Sequence, residues 1–115
     1  MKINKIILFL VLSFLGNWAM GQAGQTWVTY EGPMGLGSGK HIVLVSGDEE
    51  YRSEEALPQL AKILSYRHGF KTTVLFAQHP SQLGVVNPNY RDHIDGTELL
   101  ASADLLVIFT RFRSL

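Results

Sequence analysis

A chain of 115 residues, 46% hydrophobic and 17% charged, has the make-up of one globular domain and is too short for two ordinary ones. Ten basic and ten acidic residues cancel, and the lysines and arginines are scattered, which leaves no electrostatic case for a nucleic-acid partner. The absence of cysteine excludes a disulfide, a thiolate metal site and a cysteine nucleophile.

Residues 1–21 read as a signal peptide. Lys2 and Lys5 form a positive start, and Ile6 to Leu15 is apolar apart from Ser13. Ala19-Met20-Gly21 and Gly21-Gln22-Ala23 each place small residues where a signal peptidase reads them. The run is short for a bilayer and ends at Gly16-Asn17, so an uncleaved anchor is the weaker alternative. No cysteine follows it, which rules out lipoprotein attachment. The expected location is therefore periplasmic or secreted, with no membrane association after cleavage. Cleavage after Gly21 removes two lysines and no acid, leaving 8 basic against 10 acidic groups, a mildly acidic chain.

Residues 22–39 read as a flexible leader, with Gly24, Gly32, Gly35, Gly37, Gly39 and Pro33. Within it, Trp27-Val28-Thr29-Tyr30 suits a short edge strand or a docking segment. Gly35-Leu36-Gly37-Ser38-Gly39-Lys40 is not a phosphate loop: Met34 stands where the first glycine belongs, and a strand follows where a helix should.

His41 to Ser46 is a β-branched apolar run that predicts a buried strand. Gly47 breaks it, and Asp48-Glu49-Glu50-Tyr51-Arg52 form a polar loop. Ser53 is the expected N-cap of a helix with Glu54 and Glu55 in its first turn. Leu57, Leu60, Ala61 and Leu64 make one apolar stripe for the sheet, and Gly69 supplies the C-terminal stop. Pro58 falls inside this helix, which predicts an irregular first turn or a start nearer Leu57.

Lys71 to Phe76 is the second expected strand. Ala77 to Ile94 is a connection longer than the ~12–15 residues usual in compact domains, a length that marks functional or mobile loops. Asp95 and Glu98 fit a capping box opening a short helix through Ala101. Asp104 to Phe109, the most apolar segment, is the third strand, with Thr110-Arg111-Phe112-Arg113 beyond its end. Three parallel strands with right-handed crossovers predict an α/β, flavodoxin-like sheet of order 2-1-3. The acidic loop and the two arginines would then share a crevice at the carboxyl ends of neighbouring strands. A third strand this apolar wants cover on both faces, so residues 40–115 are expected to be the front part of a larger three-layer sandwich.

The string Val45 to Pro58 resembles the opening of exported ThuA-like (trehalose-utilisation) proteins. So do Val74-Leu75-Phe76, Asn87-Pro88-Asn89 and Ala103 to Arg113. The similarity runs from about Gly39 to Leu115. It implies the glutamine amidotransferase-like superfamily, a flavodoxin-like sandwich, a role in sugar metabolism and a small-molecule carbohydrate partner. The family domain continues to a turn matching the amidotransferase nucleophile elbow, which has no counterpart here. No residue is therefore assigned as nucleophile, no cofactor is expected, and these residues alone are expected to be inactive and marginally stable. A non-catalytic carbohydrate-binding module on the same scaffold is the alternative.

Asp48, Glu49 and Glu50 are the candidate catalytic or ligand-binding acids, able to grip sugar hydroxyls, assist proton transfer or bind a metal. Their plainer role is to stabilise the helix start. Tyr51 offers a ring for a sugar or for packing. Arg111 and Arg113 alternate, so an extended chain points both to one side, toward a ligand anion or toward the acids. Arg52 is expected in a structural ion pair. His41, His68, His79 and His93 lack a metal-binding spacing, and no metal is expected. Asn87-Pro88-Asn89-Tyr90 predicts a turn. A receiver domain would need an aspartate where Thr110-Arg111 stand, and a flavodoxin phosphate loop would not carry Asp48-Glu49-Glu50.

Overall fold

The computed structural model describes residues 24–114, so the signal peptide expected at residues 1–21 lies outside the described residues. Its elements are β1 (Val28–Glu31), β2 (His41–Gly47), α1 (Ser53–His68), β3 (Lys71–Phe76), a 3₁₀ turn (Thr97–Ser102) and β4 (Leu105–Thr110). The segments rich in β-branched and aliphatic residues are the strands. β2 and β3 are buried along nearly their whole length, as strands covered on both faces must be.

The sheet is a four-stranded mixed one of order β1-β3-β2-β4. β2 pairs in parallel with β3 and with β4. The order is therefore 1-3-2-4 rather than the 2-1-3 expected from three strands. The difference is β1, which lies antiparallel on β3 with Val28 opposite Val74 and Glu31 opposite Lys71. The Glu31 carboxylate is 3.3 Å from the Lys71 ammonium, and the Thr29 and Thr73 hydroxyls are 3.1 Å apart. These cross-strand pairs fix the register of a strand too short to carry a periodic signal.

The core has two layers. Toward α1, Ile42, Leu44, Val74 and Phe76 meet Leu57 and Ala61. On the other face, Val43, Val45, Leu75, Ala77 and Ile94 are capped by Trp27, Leu99 and Leu100. α1 lies over β1, β2 and β3. Of its predicted stripe, Leu57 and Ala61 are buried and Leu64 is half-buried, while Leu60 is exposed. Ser65 is buried in its place, and its hydroxyl joins the Tyr30 and Phe70 carbonyls (3.0 and 2.7 Å) and the Thr72 hydroxyl (2.8 Å). One serine thus ties the helix to the ends of two strands.

The start of the helix differs in detail from expectation, and its end at Gly69 agrees with it. Arg52, not Ser53, occupies the N-cap position, in a left-handed conformation at φ 55°. Ser53 is inside the helix and buried, its hydroxyl 2.8 Å from that of Ser46 and accepting the Asp48 N–H at 3.2 Å. The helix runs regularly from Ser53 with Pro58 inside it. Gly69 stops it at φ 79°, its N–H reaching the Ser65 carbonyl at 2.9 Å.

The predicted capping box does not form. Gly96 precedes the 3₁₀ turn without a side-chain cap. Asp95 instead accepts the hydroxyl of Thr26, a residue brought near by the segment leading into β1. In the glycine-rich segment before β2, a Cβ on Gly32 would fall on the Ser65 carbonyl, and one on Gly37 would strike the Phe70 ring. These glycines permit close backbone approach to the end of α1.

Candidate functional site: the carboxyl edge of the sheet

β2 ends at Gly47, and a Cβ there would lie 3.0 Å from Thr110 Cγ2 and 3.2 Å from Arg113 Nε. The missing side chain lets the segment after β4 close onto the loop after β2. That closure brings every candidate residue of the two loops to the carboxyl edge of the sheet.

Asp48 is only 3% exposed. Its carboxylate accepts the N–H groups of Glu50 (2.8 Å) and Tyr51 (2.6 Å). This is a local side-chain turn, and it sets the direction in which Glu49 and Glu50 leave the backbone. Glu49 lies 3.2 Å from the Arg113 guanidinium, of which 3% is exposed. The same guanidinium donates to the carbonyls of Gly47, Tyr90 and Pro88. Glu50 is ion-paired with Arg111. Arg52, at the helix N-cap, is ion-paired with Glu55 in the first turn.

The two arginines do not lie side by side on an extended strand. β4 stops at Thr110, and Phe112 takes a left-handed conformation at φ 52°. For a bulky aromatic residue that backbone is a genuine outlier. It sends Arg113 inward to Glu49 and leaves Arg111 outward beside Glu50. The Arg111 guanidinium then sits 4.6 Å from the Phe112 ring centre and 5.8 Å from that of Tyr51. Tyr51 in turn meets Phe109 edge to face at 6.5 Å. Tyr51 is 64% and Phe112 63% exposed, so two aromatic faces flanking a cation remain open to solvent.

Phe109 and Phe112 were not singled out as site residues from the sequence. The signal available was a phenylalanine enclosed by two arginines just past a strand end, a place where a packing role is poorly served. The long connection is also better ordered than its composition implies. Ala77 bridges to Ile94 and Gln78 to Val86, the Gln78 amide oxygen accepts the Gly84 N–H at 2.6 Å, and Arg113 holds Pro88 and Tyr90. Asn87 forms the expected turn, accepting from the Tyr90 N–H at 3.1 Å.

The histidines go elsewhere. His41 lies 3.1 Å from the Ser102 hydroxyl and 2.9 Å from that of Thr73, and His79 bonds Ser81 and packs on Tyr90. Among the described residues, no group of three His, Asp or Glu side chains is placed to hold a metal ion, and no helix is long and apolar enough to cross a membrane. A hollow of about 270 Å³ lies at the opposite end of the sheet, lined by Glu31, Met34, Phe70 and Lys71. It gathers no group suited to chemistry beyond the Glu31–Lys71 pair. Two perturbed groups also lie away from the carboxyl edge. The His41 N–H and then Lys40 hold the Asp104 carboxyl below the usual range, and burial, with the neighbouring Tyr66, raises the Tyr30 phenol.

No protein-family model matches the chain, and neither the curated proteins nor the solved structures hold a significant match. The class is set by the architecture alone: a small α/β domain with a mixed sheet and a charged, aromatic rim at the carboxyl ends of its parallel strands. In chemical terms that rim offers carboxylate acceptors, guanidinium donors and open ring faces within one patch.

Proposed function

We propose that the chain is an exported ThuA-like domain of flavodoxin-like ancestry that serves sugar utilisation by binding carbohydrate at this edge, without turning it over. The observation that carries the reading is the Tyr51–Arg111–Phe112 arrangement beside Glu50. Sugar rings present apolar C–H faces that lie on aromatic rings and hydroxyls that pair with carboxylates and guanidinium groups. Both kinds of partner occur here within one side chain of each other.

Binding is favoured over catalysis by how the acids are used. Asp48 is buried with one carboxylate oxygen accepting two amides, Glu49 is held by Arg113, and Glu50 by Arg111. Acids held this way act as fixed hydrogen-bond acceptors, and a general acid or base needs a proton that can leave and return. The resemblance to ThuA-like proteins supplies the choice of trehalose-type glycosides as first ligands.

Calorimetric titration of the purified chain with trehalose tests this. Weak saturable binding is expected, with Tyr51→Ala weakening it about tenfold, equivalent to ~1.4 kcal/mol. Binding indifferent to Tyr51→Ala, or release of glucose from trehalose by the purified chain, contradicts the reading.

A further inference from the structure

The segment between β1 and β2, residues 32–39, is fastened to the end of α1. The Gly37 N–H donates to the His68 carbonyl at 2.7 Å, the Ser38 N–H to the Gly35 carbonyl at 3.1 Å, and the Gly35 N–H to the Ser38 hydroxyl at 2.8 Å. Gly37 is buried. A Cβ on Gly35 would lie 2.6 Å from the His68 carbonyl oxygen, so only glycine fits this close approach. The two large apolar side chains of the segment go the other way. Met34 is 94% exposed and Leu36 completely so. Leu36 stands between two glycines whose backbone is held against the helix end, which leaves it no side chain on either side to fold against.

Exposed apolar residues scattered singly are ordinary. Here two share the tip of a braced turn, and the end of the molecule that carries it is cationic. The amino end of the parallel strands has Lys40, Lys62, Arg67 and Lys71 against two acids, Glu31 and Asp104. Those acids are taken by Lys71 and Lys40. Lys62 lies over the Tyr30 ring at 5.7 Å and Arg67 is in the last turn of α1, and neither has an acidic partner among the described residues. The carboxyl edge has the opposite balance, with Asp48, Glu49, Glu50, Glu54 and Glu55 against Arg52, Arg111 and Arg113. A chain whose charges cancel overall is thus polarised along its strands, with the apolar tip at its positive pole.

We propose that residues 32–39 are a docking tip for an anionic bilayer surface: Met34 and Leu36 enter the interface while Lys40, Lys62, Arg67 and Lys71 rest on its headgroups. A protein partner is the weaker fit. Interfaces between proteins are broad surfaces of roughly 800 Å² a side, and the chain around these two side chains is Gly35, Gly37, Ser38 and Gly39. A bilayer closes around a narrow protrusion and needs no matching surface. β1 lies at the edge of the sheet opposite β4, so strands added to the domain beyond β4 build away from this tip. Docked in this way, the molecule turns its carboxyl rim away from the bilayer, and the carbohydrate reading of that rim stands or falls separately.

The chain has no cysteine, so a single introduced thiol can report the contact. Leu36→Cys and, on the connection after β3 at the opposite end, Leu83→Cys each carry an environment-sensitive nitrobenzoxadiazole label on the full chain. Both side chains are exposed, and far-UV circular dichroism is expected to stay that of the parent. With vesicles of phosphatidylcholine and phosphatidylglycerol, the label at position 36 is expected to brighten, shift to the blue and be quenched by nitroxide-labelled lipid, while that at position 83 stays unchanged. Adding Lys62→Glu and Arg67→Glu should raise the lipid needed for half of this response about tenfold. Every variant carries the same residues 1–23, so vesicle binding through them is common to all and does not create the difference between the two positions. The inference is overturned by no change at position 36, an equal change at both positions, or the same response to phosphatidylcholine alone. It is overturned equally by a response indifferent to Lys62→Glu with Arg67→Glu, or by a blue shift that grows with protein concentration without vesicles, which marks contact between copies.

Discussion

The Arg113 guanidinium lies 3.2 Å from the Glu49 carboxylate, 64 positions earlier in the chain, and is almost wholly buried. With its bonds to the Gly47, Pro88 and Tyr90 carbonyls it joins the loop after β2, the long connection and the segment after β4. Removing one member of a buried, hydrogen-bonded ion pair leaves the other uncompensated, at a typical cost of ~3–5 kcal/mol. Arg113→Ala is therefore expected to lower the urea midpoint sharply. Arg113→Lys keeps the charge but loses the planar fork, and should restore only part of the stability.

Phe112 separates stability from binding. Its left-handed backbone costs on the order of 1–3 kcal/mol in a residue with a Cβ. Phe112→Gly removes that strain together with the ring. The variant should melt at the same temperature as the parent or higher, and bind trehalose markedly more weakly. A loss of both stability and binding would show that the ring acts only through packing.

Gly32→Ala tests the close approach at the other end of the molecule. The new methyl falls on the Ser65 carbonyl, so helix and loop must separate. Overpacking of this kind costs ~1–3 kcal/mol, and for a domain of this size each kcal/mol lowers the melting temperature by roughly 4–8 °C. Gly24→Ala, with open space around the site, meets no clash but sits at φ 104°, so its effect measures backbone strain alone.

Asp104 gives the fold an acid-sensitive contact. Its carboxylate accepts the His41 N–H at 2.8 Å and pairs with Lys40 at 3.2 Å, and both hold its pKa below the ordinary 3.8. A carboxyl whose folded pKa is depressed stabilises the fold above its unfolded pKa, and that contribution fades as pH falls through the folded value. Stability attributable to Asp104 is thus complete at neutral pH and is lost below about pH 3.8. Urea titrations of the parent and of Asp104→Asn should differ at pH 7 and converge under strong acid.

Much of this arrangement could be read before any coordinates. The β-branched run from His41 and the stripe Leu57-Ala61-Leu64 are burial patterns, and burial is what periodicity reports, whereas Leu60 of the same stripe and most of the strand from Leu105 are exposed. The meeting of the Asp48–Glu50 loop with Arg111 and Arg113 followed from parallel strands ending on the same side. β1 was less legible, because four half-exposed residues pair through backbone bonds and a Glu31–Lys71 contact that leave little trace in composition. The left-handed turn at Phe112 had no local signal at all, since neither glycine nor asparagine marks it. It is followed one residue later by the buried Arg113, whose partners lie in loops distant in the sequence. The capping box failed for a similar reason: Asp95 found the distant Thr26 hydroxyl before its own helix.

An amide-resolved NMR titration of the ¹⁵N-labelled chain with trehalose tests the carboxyl rim as a carbohydrate surface most directly. Shifts that saturate and centre on Glu50, Tyr51, Arg111 and Phe112 are predicted. Shifts confined to the hollow formed by Glu31, Met34, Phe70 and Lys71, or no shifts at any concentration reached, would contradict it.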